Sequence, residues 1–157
     1  MSPSDRLRSF RRVAVFGMSS NTDPRIQLVK DLFAAWSSGD ADAPEKLMHP
    51  HAVLNDIVGG SHSGWPAIRA FFKKGLDKWP DLVLEPEQFW TSDDGVAVTW
   101  TMSATLTEEM GAFFGAQHVG KKWVSPGMSW LRIVDGRVEH EVDYHDSGAV
   151  PKSLNAR

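Results

Sequence analysis

The chain predicts an α+β fold in which a curved, antiparallel or mixed sheet packs against helices that come first in the sequence. Three observations carry this. Apolar residues recur every three to four positions up to Trp79, the period drops to two after Pro80, and turn sequences such as SDDG and VDG separate the later segments in the manner of a strand meander.

The first helix starts at Asp23-Pro24, where Asp23 can cap and Pro24 suits the opening turn. Ile26, Val29, Phe33 and Trp36 form its apolar stripe, and Ser38-Gly39 stops it. A short second helix is predicted over Pro44 to Met48. HAVLNDIV then reads as a strand running into the turn residues GGSHSG. Ser63 to Trp79 forms the next helix, with Pro66 early and Ile68, Phe71, Phe72, Leu76 and Trp79 as its buried stripe. In GVAVTWTMSATL, strand alternation puts Val96, Val98, Trp100, Met102 and Ala104 on one face and Ala97, Thr99, Thr101, Ser103 and Thr105 on the other. KKWVSPGMSWLRIV supplies the next strand and RVEHEVDYHD the last. Residues 1–22 read as a flexible N-terminal extension, 23–150 as one domain and 151–157 as a C-terminal tail.

Composition narrows the function. With 157 residues, 41% hydrophobic and 24% charged, the chain suits one domain with a real core. A net charge of −3 argues against a nucleic acid or an anionic membrane as partner. The absence of cysteine excludes disulfides, thiolate metal sites and cysteine nucleophiles, and it fits a cytoplasmic setting. No apolar run approaches the roughly 18 residues that span a bilayer. The opening MSPSDRLRSFRRVAVFGM places four arginines before a patch too short for a secretory core, so it reads as an extension before Met18.

RVEHEVDYHD raises the functional question, because alternation gathers Glu139, Glu141 and Asp143 on one face and Val138, His140, Val142 and Tyr144 on the other. Simple amphipathicity would leave the acids in water. AAWSSGDADAPEKLMHP, SGWPAIRAFFKKGLDKWPDL, FFGAQHVGKKW and VDGRVEHEVDYHD, in that order, resemble the SnoaL-like branch of the nuclear transport factor 2-like superfamily over residues 24 to 150. The resemblance implies an α+β cone, its bent sheet wrapping helices around a deep pocket, and a homodimer formed through the outer sheet face. It also implies that Asp143 points into the cone. Glu139, at the strand start, is expected at a solvated end, while Glu141 fits either side.

On this resemblance Asp143 matches the acid/base aspartate of SnoaL-like polyketide cyclases and the water-activating aspartate of limonene epoxide hydrolases. A carboxylate in an apolar pocket has its charged form disfavoured, which moves its pKa toward the range useful for proton transfer. NDIVGGSHSGWPAIRAFF is similar to the ketosteroid isomerase stretch that carries its proton-shuttling aspartate, which falls on Asp56; the alternative for Asp56 is a strand-end residue bonding the next turn. Asn55 should point to the other side. Two departures stand out. Epoxide hydrolases hold an arginine and a second aspartate where this chain has Thr101 and Ser103, and the enolate-stabilising tyrosine and acid of ketosteroid isomerases fall near Leu32 and Ser129.

Thr101 and Ser103 remain as small hydroxyls for substrate, together with Trp36, Glu141 and His145, which shares the Asp143 face. His118, in FFGAQHVGKK, falls on a loop that the resemblance places near the pocket mouth. His49 and His51 form an H-x-H without a third ligand, and residues two apart on a strand lie about 6 to 7 Å apart, so no metal and no cofactor are expected. Seven tryptophans favour a flat, hydrophobic ligand. The expected activity is acid/base chemistry on a hydrophobic carbonyl compound: cyclisation, isomerisation or dehydration. The alternatives are a non-catalytic binding or interaction module of the same fold, and an epoxide hydrolase. The expected homodimer interface draws on Val138, Val142, Tyr144, Val96, Val98 and Trp100.

Overall fold

The computed structural model describes residues 23–156; the extension expected over 1–22 lies outside them. Helix α1 spans Pro24–Trp36, and the Asp23 carboxylate caps it by accepting from the Arg25 amide at 2.9 Å. Ile26, Val29, Leu32, Phe33 and Trp36 are buried along one stripe, as the period requires. Truncating Phe33, almost wholly enclosed, would cost on the order of 3–5 kcal/mol.

Strands β1 (Met48–Asp56) and β2 (Gly60–Ser63) form a hairpin, and helix α2 (Trp65–Lys78) follows. The remaining strands are β3 (Val83–Thr91), β4 (Gly95–Thr105), β5 (Lys122–Val134) and β6 (Arg137–His145), with helix α3 (Glu108–Phe114) between β4 and β5 and α4 (Ala149–Asn155) at the end. The sheet order is β2-β1-β6-β5-β4-β3. β1 runs parallel to β6 and every other neighbour is antiparallel, so the sheet is mixed. Helices α1 and α2 cover its concave face. Among the described residues no helix is long and apolar enough to cross a membrane.

Three elements depart from expectation. The predicted helix over Pro44 to Met48 is a single 3-10 turn, Glu45–Leu47, because the chain becomes extended at Met48 to begin β1. The expected turn GGSHSG is largely β2, made possible by the left-handed backbone of Gly60 at the hairpin (φ 89°). The expected tail from 151 contains most of α4, which fills the edge of β5 left open where β6 ends. There the Val124 amide donates to Ser153 Oγ at 2.9 Å, and Leu154 buries itself with Trp123 and Leu106.

A register shift in β6 corrects the predicted faces. Arg132 pairs with His140 but Ile133 pairs with Val138, so Glu139 is the extra residue of a bulge. Val138 and Glu141 therefore both turn inward, and both are buried. Glu139 stays outside, 3.6 Å from Arg132 and 3.8 Å from His51. Val96, Val98, Trp100 and Val138, expected at an outer dimer face, belong to the main core instead. Of that expected set only Val142 and Tyr144 remain on the convex side, because an extra residue reverses the alternation before Glu139 and the helices occupy the other face.

Candidate active site

The helices and the concave face enclose a cavity of about 780 Å³. Its two ends differ in chemistry. Along α2, Phe71 to Trp79 spans about 12 Å at 1.5 Å per residue, and the far end of that run meets Leu82 and Trp123, an apolar wall. The near end holds Asp56, Glu141, Asp143, His145 and Ser129.

Pairing explains the gathering of acids. β1 lies parallel to β6 with Asp56 opposite Asp143, and β5 lies antiparallel with Ser129 opposite Asp143, so three adjacent strands present their polar residues at one level. Asn55, one residue from Asp56, points to the convex side, where its Nδ2 meets His140 Nε2 at 2.7 Å.

Asp143 accepts a hydrogen bond from Ser129 Oγ at 2.5 Å, and Ser129 in turn accepts from Trp100 Nε1 at 2.8 Å. Gly127, paired with Trp100 across β4 and β5, leaves room for that indole: a Cβ there would collide with its ring. Burial pushes the Asp143 carboxyl up to about 7, helped by the charge of Asp56 and opposed by the Ser129 hydrogen bond. Glu141 is 2% exposed. Burial, then the charges of Asp143 and Asp56, hold it well above the usual carboxylate range, so it is the neutral member of the pair and hydrogen-bonds to Asp143. Its Oε2 has no protein partner.

Asp56 behaves oppositely. Burial works to raise it, but His145 Nε2 at 3.0 Å and the amides of Gly59 (2.5 Å) and Val58 (2.8 Å) outweigh that and keep it ionised, below its ordinary value. Asp56 faces the cavity and also ties the turn through the Val58 and Gly59 amides. The Asp56 hydrogen bond raises His145, with burial acting against it.

Of the sequence-derived candidates, Asp143, Asp56, Glu141, His145 and Trp36 line the cavity. Trp36 stacks with Trp65 at 6.5 Å and leans on Phe72 at 4.2 Å. Thr101, Ser103 and His118 do not line it. Trp100 and Met102 face inward, so alternation sends Thr101 and Ser103 to the convex side, where Thr101 Oγ1 donates to Glu87 at 2.5 Å. His118 is 6% exposed in a 3-10 turn after α3, with Nδ1 3.4 Å from Lys121 Nζ; the loop folds onto its own helix instead of the mouth.

Sequence reasoning missed Ser129 as the partner of Asp143 and the Trp100 indole as the partner of Ser129, and it missed Lys74 and Lys78, which α2 places on the cavity wall. Alternation separated Trp100 from Thr101 but the expected outer face of Trp100 was the wrong one, since the helices pack on its side of the sheet. The face of Ser129 depends on the β5 and β6 register.

A family model described as SnoaL-like domain matches residues 29–141. A comparison with curated proteins found no match. Among solved structures, AclR from Streptomyces galilaeus, described as "a putative hydroxylase", is 28% identical with a TM-score of 0.67, covering 83% of this chain and 94% of its own. IdmH from Streptomyces antibioticus, described as "a putative polyketide cyclase", is 19% identical with a TM-score of 0.73 over 85% of this chain and 99% of its own. A protein from Acidithiobacillus ferrooxidans with the same description is 20% identical with a TM-score of 0.74, covering 87% and 97%. The last two similarities establish the fold alone.

Proposed function

This chain belongs to the SnoaL-like domain family, and from that premise we propose that it is an acid/base enzyme acting on a hydrophobic carbonyl compound, with Asp143 as the base. One observation carries the reading: a carboxyl poised near neutrality, at about 7, opens onto a cavity walled by Trp36, Trp79, Trp100 and Trp123. A base is most useful when its pKa lies near the working pH, because it is then ionised often enough to take a proton and basic enough to want one. Ser129, fixed by Trp100, orients the attacking carboxylate, and neutral Glu141 stabilises its charge by donating to it.

The ligand is read from the walls. Four indoles and the rings of Phe71 and Phe72 suit a flat, polycyclic body. Asp143 takes a proton from the carbon beside the carbonyl, and the electron pair moves onto the carbonyl oxygen as an enolate. Cyclisation, isomerisation or dehydration follows from where that enolate reacts. The description of AclR points instead to hydroxylation, for which the same ionised carbon acid is the starting species; oxygen consumption during turnover separates the two.

The test uses tetralone, a bicyclic aromatic ketone, in deuterated buffer, with exchange of its α-protons followed by NMR. Wild type should accelerate exchange, a chelator should change nothing, and Asp143→Asn should lose about 100-fold or more while still folding. Undiminished exchange in Asp143→Asn removes it as the base. Quenching of tryptophan emission by tetralone without any exchange in wild type makes the protein a binding module.

A further inference from the structure

The cavity holds a second titratable pair that proton abstraction by Asp143 does not use. His145 Nε2 is bound to Asp56 Oδ2 at 3.0 Å, both side chains are largely enclosed, and both line the same cavity as Asp143. Asp56 is fixed in turn by the amides of Val58 and Gly59, so it cannot swing away to solvent. A histidine whose one ring nitrogen is held by an anchored carboxylate has its orientation set and its imidazolium form stabilised, leaving Nδ1 to face a ligand.

We infer that His145 is the general acid of this site, delivering a proton from Nδ1 to a substrate oxygen while Asp143 removes one from carbon, with Asp56 as its positioning residue. This rests on Asp143 as the base. It narrows the reaction to one that needs two separate proton-transfer groups, and the β-elimination of water from a β-hydroxy ketone is the simplest.

Distances support the pairing. Asp143 and His145 are two residues apart on one strand face, so their Cα atoms lie about 6 to 7 Å apart and their side chains point the same way. The hydrogen on an α-carbon and the oxygen on the adjacent carbon are themselves close neighbours, so two such adjacent side chains can reach both at once. Asp143 takes the α-proton, the C–H pair forms the new C=C bond, the C–O bond breaks, and the oxygen leaves as water carrying the His145 proton. Afterwards Asp143 is protonated and His145 neutral, and exchange with solvent restores both. The charged and titratable groups facing His145 are Asp56 from β1, Asp143 from β6 and Asp146 just beyond it, all of which favour the imidazolium; Glu141 is neutral and the Trp100 ring lies 6.0 Å away.

The experiment uses the aldol of naphthaldehyde and acetone, a naphthyl β-hydroxy ketone. Deuterium exchange at its α-carbon reads Asp143, and dehydration to the conjugated enone, followed by absorbance, reads His145. In His145→Gln, dehydration should fall about 100-fold or more, and by a clearly larger factor than exchange does. In Asp56→Asn, the alkaline limb of the dehydration profile should move to lower pH, because His145 loses the carboxylate that raises it; loss of a purely structural contact would scale the rate without moving the limb. Should His145→Gln fail to fold, that limb decides alone. Exchange without dehydration in wild type, dehydration untouched in His145→Gln, or an unmoved limb in Asp56→Asn each overturns the assignment. Absence of exchange in wild type overturns Asp143 as the base, and this proposal with it.

Discussion

Replacing Asp143 by Asn should stabilise the protein above neutral pH. The unfolded chain ionises this carboxyl at the ordinary aspartate value of 3.8, whereas burial pushes it up to about 7 in the fold. Between those values the native state binds the extra proton, so stability due to this group is present at low pH and is lost as pH rises through about 7. At about 1.4 kcal/mol per pH unit, the ionised native carboxyl carries a penalty of roughly 4 kcal/mol at about pH 8, an upper figure because water entering the cavity relieves part of it. Asn keeps the shape and can still accept from Ser129 Oγ, which now donates to a neutral oxygen. A gain of about 2–4 kcal/mol is therefore expected near pH 8, equivalent to roughly 5 to 15 °C in Tm for a chain of this length. Near pH 5 the wild-type group is already neutral in the fold, and the gain should shrink by more than half. Urea unfolding of both proteins at the two pH values measures this. A variant less stable than wild type at both, with no dependence on pH, would mean that Asp143 is an ionised structural anchor and not a poised base.

Two further outcomes follow from the same geometry. Ser129→Ala removes the hydrogen bond that holds the Asp143 carboxyl down, so its midpoint in a carboxyl-carbon NMR titration should rise above that of wild type; an unchanged midpoint would show that Ser129 does not donate to it. On the convex face Met128 pairs with exposed Tyr144, next to Val142, and this patch is expected to form a homodimer interface. Light scattering should give a dimer at micromolar concentration that Tyr144→Glu converts to monomer, and a monomeric wild type would remove the interface.

The helical half of the fold was written in local chemistry. Asp23, Pro24 and a stripe at three-to-four spacing define α1 with little help from the rest of the chain, whereas alternation in β4 separates Trp100 from Thr101 without saying which of the two faces the core. The helices packed on the Trp100 face leave Thr101 and Ser103 outside the pocket. Asp143 and Asp56 were legible as candidates through the resemblance, since alternation alone would leave the acids of RVEHEVDYHD in water, and Glu141 and His145 came with Asp143 because they share its face. What the sequence could not decide is everything that depends on register. One extra residue, Glu139, turns Val138 inward and reverses the expected outer face at the start of β6, and no local signal marks such a bulge. The parallel pairing of β1 with β6 brings together Asp56 and Asp143, 87 positions apart in the chain numbering, and places Ser129 beside them from a third strand. A carboxyl near 7 beside one held below its ordinary value is a property of that assembly: the same residue type is pushed up where burial dominates and held down where an imidazole and two amides reach it, and only the folded chain determines which of the two each aspartate meets.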